Sequence, residues 1–122
     1  MGDRANIKIN TRNNGTSIWL YTHWNGYELP ELLKTALIKA KNRWNDPSYG
    51  ARILVDQITK EGRDEETGWG LDTGIGDNSY PVLEVDFPTQ KVNIQGMKAD
   101  YAVSFADYVV MPDPAAWREA AK

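Results

Sequence analysis

Two β-hairpin patterns separated by a helical stretch are the feature that most constrains the fold of this chain. Apolar and polar residues alternate in segment 7–10 and again in segment 17–23, with Asn13-Asn14-Gly15 between them. A period of two is typical of a half-buried strand, and Asn and Gly tolerate the positive φ of tight turns. Segments 82–87 and 92–94 repeat the pattern, so the sequence predicts two antiparallel hairpins.

Helices are predicted between and after the hairpins, because proline occurs where a first helical turn would begin. Pro30 is followed by an apolar stripe at helical spacing, formed by Leu33, Leu37, Ala40 and Trp44. Asp46-Pro47 indicates the cap and first residue of a second helix, which continues to Gly62. Asp113-Pro114 repeats this signal and predicts a terminal helix over residues 114–121 that carries Trp117 inward.

This order of elements predicts an α+β fold within a single domain comprising residues 1–122. We expect a mostly antiparallel sheet with two consecutive helices on one face and a short C-terminal helix. A further short strand is predicted over residues 69–73. The mixed pattern of residues 96–112 leaves their structure open.

Composition narrows the class of protein. With 41% hydrophobic and 25% charged residues, the chain is typical of a globular protein. No apolar run approaches the roughly 18 residues needed to span a bilayer, and residues 1–6 lack the apolar core of a secretory signal. We therefore expect a cytoplasmic protein that does not bind a membrane.

Charge and cysteine content exclude further functions. A net charge of −3 argues against a protein that binds long nucleic acid. The absence of cysteine excludes disulfides, thiolate catalysis and zinc–thiolate sites. Basic residues in segment 34–43 and acidic residues in segment 61–66 form either two solvated surfaces or the complementary faces of a homo-oligomer.

Aromatic residues are concentrated at the end of the first hairpin. On its second strand Trp19, Tyr21 and His23 share one face, whereas Ile18 and Leu20 share the other. Five tryptophans and six tyrosines exceed what a core of this size needs, and such residues concentrate in interfaces and pockets. We expect them to stack on a small nucleotide-like ligand whose phosphates meet arginine, or to contact a second subunit. The predicted ligand-binding residues are Tyr21, His23, Trp24, Asn25, Arg52, Trp69, Phe87 and Arg118.

The sequence contains few of the residue patterns that enzymes use for catalysis. His23 is the only candidate general base, and no Gly-x-Ser-x-Gly elbow accompanies it. Glu84 and Asp86 alternate outward on one strand, where solvated carboxylates are usual. The glycine-rich segment 68–76 lacks the Lys-Ser/Thr ending of a P-loop. The sequence thus predicts no catalytic residue, no metal and no cofactor, and a small hydrolase using His23 is the least favoured alternative.

Several segments resemble a group of small proteins of uncharacterised function from phages and bacteria. They are YTHWNG at 21–26, RWNDPSY at 43–49, ETGWG at 66–70 and YPVLEVD at 80–86, within a similarity that covers roughly residues 2–94.

In size and composition the chain is also similar to phage anti-defence proteins that sequester cyclic nucleotide signals, including the Thoeris anti-defence sponges. This similarity implies a non-enzymatic sponge for a cyclic nucleotide-like immune signal, acting in the host cytoplasm if a phage encodes it. The alternative is a protein-binding inhibitor of a host defence complex, comparable to an anti-CRISPR protein. In that alternative Asp64-Glu65-Glu66, together with Glu84 and Asp86, would mimic phosphate.

Overall fold

A six-stranded sheet packed against helices forms the fold, so the α+β prediction is confirmed. The computed structural model describes residues 2–96 and 100–122. Its strands are β1 (Ala5–Asn10), β2 (Ile18–Thr22), β3 (Trp69–Asp72), β4 (Val82–Asp86), β5 (Lys91–Gln95) and β6 (Tyr101–Ser104). Both predicted hairpins and the short strand β3 are present, and Gly15 in the first turn has a φ of 80°.

Among the described helices, α1, α2 and α4 begin where the prolines predict, whereas α3 has no proline at its start. They are α1 (Leu29–Lys39), α2 (Pro47–Ile58), α3 (Phe105–Tyr108) and α4 (Pro114–Glu119), with a 3₁₀ turn at Lys41–Arg43. The stripe that was predicted to extend to Trp44 is interrupted, because α1 ends at Lys39 and the next helix starts at Pro47. Trp44 nevertheless packs on the core, and its Nε1 donates to the carbonyl oxygen of Leu37 at 3.0 Å.

Two helix ends differ from the sequence prediction. Helix α2 ends at Ile58 instead of Gly62. At this end the hydroxyl of Thr59 donates a hydrogen bond to the carbonyl oxygen of Val55 at 2.7 Å. Helix α4 ends at Glu119 instead of residue 121. Trp117 packs against the core as predicted, although it is only half-buried, and the fully buried side chain of α4 is Arg118. The apolar pattern did not predict the burial of Arg118, because a charged residue is rarely placed inside.

Strand β1 lies in the middle of the sheet and joins its two halves. The strand order is β3-β2-β1-β4-β5-β6, and β1 pairs antiparallel with β2 but parallel with β4. Ile7 lies opposite Leu20 on one side and Leu83 on the other. These buried residues form the core together with Leu33, Leu37 and Leu54 from the helices. Mostly antiparallel pairing with one parallel contact therefore describes the sheet.

The face of the sheet opposite this core carries polar and aromatic side chains. Asn10 Nδ2 donates to Glu84 at 2.9 Å and to Asp86 at 3.0 Å, and Lys8 Nζ lies 3.4 Å from Glu84. The two carboxylates are thus held within a network between neighbouring strands. Trp19 lies beside Lys8, whose ammonium is 5.6 Å from the centre of the indole ring.

The connection from β3 to β4 crosses this polar face, since β3 is at the edge and β4 is beyond β1. The side chain of Asn6, which is buried, donates to the carbonyl oxygen of Asp77 at 3.0 Å and accepts from Gly76 N at 3.0 Å. Gly76 lies against the ring of Tyr21. The crossing segment therefore borders the end of β2 at which the aromatic residues gather.

Residues 96–112, whose structure the sequence left open, contain β6 and α3. Residues 97–99 of this segment lie outside the part of the chain that the structure describes. Ser104 caps α3, because its side-chain oxygen accepts a hydrogen bond from Asp107 N at 3.0 Å. Across the described ranges, none of the helices has the length and apolarity required for a membrane span.

Candidate functional site

An open cleft of about 440 Å³ lies where β2 ends and β3 begins. We call it the aromatic cleft. Its lining residues are Tyr21, His23, Trp24, Thr67, Gly68 and Trp69. Four of the eight predicted ligand-binding residues are thus brought to one place.

Pairing of β2 with β3 positions the walls of the aromatic cleft. Thr22 lies opposite Trp69 and Tyr21 lies opposite Gly70. The pairing continues one residue further, because His23 N donates to the carbonyl oxygen of Gly68 at 2.9 Å. Residues far apart in the chain therefore meet at the same end of the sheet.

Trp24 is the most accessible ring of the cleft, with 54% of its surface exposed. Its ring meets that of His23 edge to face, with centroids 5.0 Å apart and an interplanar angle of 83°. A Cβ at Gly68, whose φ is +106°, would lie only 2.9 Å from Trp24 Cζ3. The absence of a side chain at Gly68 therefore allows the indole to lie against the backbone with one side open to solvent.

His23 is held by hydrogen bonds through one ring nitrogen. The Tyr21 hydroxyl lies 3.0 Å from His23 Nδ1, and Arg4 Nε donates to the same atom at 3.4 Å. Because the guanidinium group only donates, Nδ1 is an acceptor here and the ring proton belongs on Nε2. No carboxylate among the described residues hydrogen-bonds this imidazole, so the arrangement lacks the orienting acid of a Ser-His-Asp type base.

Arg4 places a positive charge beside the cleft. Its side chain is 43% exposed, and Nη1 lies 4.0 Å from the carboxylate of Asp77. An exposed pair of this length is weakly coupled. The guanidinium therefore keeps the capacity to bind an anion that occupies the cleft.

A second set of contacts fixes the loop that follows Trp24. We call Asp3, Gly26, Tyr80 and Arg118 the latch network. Gly26 N donates to Asp3 O at 2.8 Å, Arg118 Nη1 donates to Gly26 O at 2.8 Å, and the Tyr80 hydroxyl donates to the Asp3 carboxylate. The Arg118 guanidinium carbon lies 4.0 Å from the centre of the Tyr80 ring.

Arg118 is an unusual component of this network because its side chain is fully buried. Its Nε and Nη2 atoms have no hydrogen-bond partner among the described residues. Burial lowers the pKa of Arg118, although the carboxylates of Glu119 and Asp3 and the neighbouring phenols oppose that effect. The C-terminal helix thus ties the loop after Trp24 to the rest of the molecule through one costly buried charge.

The latch network predicts a loss of stability at alkaline pH. Burial, the hydrogen bond to Asp3 and the charge of that carboxylate raise the pKa of Tyr80 to about 12. As pH rises above the ordinary tyrosine pKa of about 10, the unfolded chain loses its proton before the folded chain does. The stability that Tyr80 contributes is therefore complete below about pH 10 and is lost between about pH 10 and 12.

Denaturant unfolding across this pH range measures the effect. We expect Tyr80→Phe, which keeps the ring beneath Arg118, to lose less stability between neutral and alkaline pH than the wild type. Burial also raises the pKa of Tyr108, and this contribution is common to both proteins. Equal alkaline losses in the two proteins would contradict the prediction.

Asn25 and Arg52 lie outside the aromatic cleft. Asn25 lines a smaller cavity of about 260 Å³ on the other side of Trp69, between α1 and the end of α2. Arg52 is exposed on α2 and lines a separate groove of about 380 Å³. The structure does not bring either side chain to the cleft, so their predicted joint role with Trp24 is corrected.

Phe87 and Arg118 are buried and cannot contact a ligand in the described conformation. Phe87 is 2% exposed and packs edge to face on Phe105 at 5.4 Å. It continues the inward alternation of Val85, so the β4 pattern itself explains its burial. Arg118 is 0% exposed, and it serves the latch network instead of a phosphate.

Arg4 is the residue of the candidate site that sequence reasoning missed. The first hairpin pairs Ala5 with Thr22 and Asn6 with Tyr21. Extending this register by one residue places Arg4 opposite His23. The register was therefore the signal that could have identified the cationic side of the cleft.

No family model, no curated protein and no solved structure matches the chain. Within the described residues, no three His, Asp or Glu side chains come together as ligands for a metal ion.

Proposed function

We propose that the protein is a non-enzymatic binding protein that holds a small, planar, nucleotide-like ligand in the aromatic cleft. The exposed ring of Trp24 is the observation that carries the proposal. A tryptophan with half its surface in water beside a cavity of about 440 Å³ is better placed to bind a partner than to stabilise the core.

The chemistry of the lining fits a nucleobase. Trp24 and Trp69 provide flat apolar surfaces for stacking, while His23 Nε2 provides a hydrogen-bond donor to a base edge. Arg4 offers the guanidinium for a phosphate and replaces Arg52 and Arg118 in that role.

Cyclic nucleotide-like immune signals are the ligand class we assign, and a phage anti-defence sponge is the biological role. The support for this finer assignment is the similarity in size and composition to such sponges. A sponge must bind its signal without turning it over, and the aromatic cleft presents no base with an orienting acid among the described residues. We further propose that the working form is a homo-oligomer.

Replacing Trp24 is the direct test of the cleft. A base stacked on an aromatic side chain is worth about 1–3 kcal/mol, so Trp24→Ala is expected to raise Kd roughly 5- to 150-fold. Trp24→Phe retains a ring and should lose less. Calorimetry with cyclic ADP-ribose isomers and cyclic di- and trinucleotides measures these changes.

Tyr49→Ala is the matched control for this experiment. Tyr49 is an exposed ring on α2 that lies outside the cleft and near Arg43. Its removal should leave Kd unchanged. Absence of heat with every one of these nucleotides, at high protein concentration, would reject the proposed ligand class.

An inhibitor that covers a protein target is the second candidate. Asp64, Glu65 and Glu66 are all exposed in the loop before β3 and present a continuous negative surface. Glu84 and Asp86, in contrast, are held by Lys8 and Asn10 and contribute less to such a surface. Capture from a host lysate separates the two candidates, because a sponge releases a small molecule on heating whereas an inhibitor retains a stoichiometric protein.

A further inference from the structure

Strand β3 is an open edge of the sheet. It pairs with β2 on one side and with no described strand on the other. It carries no proline, lysine or bulge, and the only devices that protect it from pairing are its length of four residues and the charge of Asp72. Its central side chain, Leu71, is 61% exposed. An edge of this kind offers free backbone groups and an apolar contact to another strand.

A groove with two positive charges adjoins the last residues of β3. Leu71 lines it together with Ile18, which is 44% exposed, and Val55 of α2. Arg12 and Arg52 lie in the same groove of about 380 Å³. Both arginines are exposed, and neither forms an ion pair with a described residue.

A negative surface lies at the opposite end of the same strand. Asp64, Glu65 and Glu66 are exposed in the loop that leads into β3 at Trp69. Arg63, in the same loop, is paired with Asp56 of α2 and so does not neutralise them.

Helix α2 runs alongside β3 in the opposite direction. Its residues from Ser48 to Val55 include those that line the groove with Leu71, whereas Ile58 at its end lines the cavity beside Trp69. Strand and helix therefore form one surface strip with a positive end near Leu71 and a negative end before Trp69.

From this polarity we infer that a second copy of the chain docks on the strip, with the two β3 strands antiparallel across a two-fold axis. Antiparallel pairing places the negative end of each copy beside the positive end of the other. The same complementary contact then occurs twice, once on each side of the two-fold axis. Edge-to-edge addition supplies main-chain hydrogen bonds, and a two-fold interface requires this self-complementarity.

This assembly differs from the one suggested by the charge clusters of the sequence. Lys34 of the basic segment 34–43 donates to the carbonyl oxygen of Met111 at 2.7 Å, and Lys39 lines the cavity beside Trp69. The arginines of the groove therefore replace that segment as partners of the acidic loop.

Charge reversal tests the interface with the full chain and no added ligand. Light scattering or sedimentation should show that the wild type dimerises. Arg52→Glu should raise the dimer dissociation constant at least about tenfold, because it places like charges together. The double substitution of Glu65→Arg and Glu66→Arg should do the same. Lys41→Glu, an exposed charge reversal outside the strip, should leave the dissociation constant unchanged.

Mixing the two charge-reversed proteins is the decisive measurement. In a mixed dimer, one contact joins a wild-type negative end to a wild-type positive end. The other contact joins the two reversed ends, which also carry opposite charges. Both contacts are attractive, so the heterodimer should form more tightly than either homodimer. Circular dichroism checks that the surface substitutions leave the fold intact. Leu71→Lys, which protects the edge, should also favour the monomer.

Two outcomes would overturn the inference. One is a wild-type monomer up to about 100 µM, a concentration at which even an interface of micromolar affinity is occupied. The other is a dimer whose strength does not respond to the charge reversals or to Leu71→Lys, including a dimer that forms through another surface. The measurement is made without nucleotide, so failure of the proposed ligand class does not affect it.

Discussion

Arg118→Ala is expected to lower the free energy of unfolding by about 2–5 kcal/mol, the range for truncating a large buried side chain to alanine. Truncation removes the hydrogen bond to Gly26 O and the contact with the Tyr80 ring. It also leaves a cavity the size of a long side chain in the interior. Urea unfolding followed by circular dichroism measures the difference.

Arg118→Met is the matched control, because it keeps most of the buried volume without the charge. Two guanidinium nitrogens of Arg118 have no hydrogen-bond partner among the described residues, and their burial costs free energy. Methionine removes this cost, although it also removes the hydrogen bond to Gly26 O. We therefore expect a smaller loss than with alanine, since replacing a buried charge by a packed apolar group is often close to neutral. A loss from alanine within about 0.5 kcal/mol, which is typical of a surface substitution, would show that Arg118 does not hold the latch network.

Gly26→Ala is expected to be the second large change, with a loss of about 3 kcal/mol, at the upper end of the usual cost of overpacking. A Cβ at this position would lie 2.6 Å from Asp3 O and 2.7 Å from Tyr80 Cε2. The first of these atoms belongs to the backbone and moves only with the N-terminal segment. Relief of the clash therefore displaces the loop that carries Trp24, and ligand affinity should fall together with stability.

Gly74→Ala separates this steric effect from the general effect of replacing glycine. A Cβ at Gly74 would meet no atom within 4 Å. Its replacement should change the free energy of unfolding by no more than about 0.5 kcal/mol. If Gly26→Ala were equally mild in a thermal or urea melt, the close packing against Asp3 and Tyr80 would not be a constraint on the loop.

The elements with strong local signals were predictable from the sequence. The alternation of Ile7 and Ile9 and the prolines at positions 30, 47 and 114 identify strands and helix starts through short-range sterics and burial. The parallel pairing of β1 with β4 left no comparable signal. The choice of neighbouring strand depends on which strand edges meet in three dimensions. The apolar pattern of a strand is the same whichever strand it pairs with.

The candidate site was predictable only in part, for the same reason. Tyr21, His23 and Trp24 are close in sequence, and Trp69 lies in the same cleft because its strand pairs with β2. Arg118 was misjudged because a charged residue is ordinarily placed outside. Its burial reflects a long-range contact with Gly26 that no local pattern encodes.

The central position of β1 has a consequence for how the chain is made. Ile7 and Leu83 are neighbours in the sheet, yet most of the polypeptide separates them along the chain. During synthesis, β1 of the first hairpin therefore has one edge whose backbone hydrogen-bonding groups lack a strand partner. This edge is paired only after β4 has emerged from the ribosome. Closure of so large a loop is slow, and a nascent or truncated chain that lacks β4 is the form most exposed to aggregation.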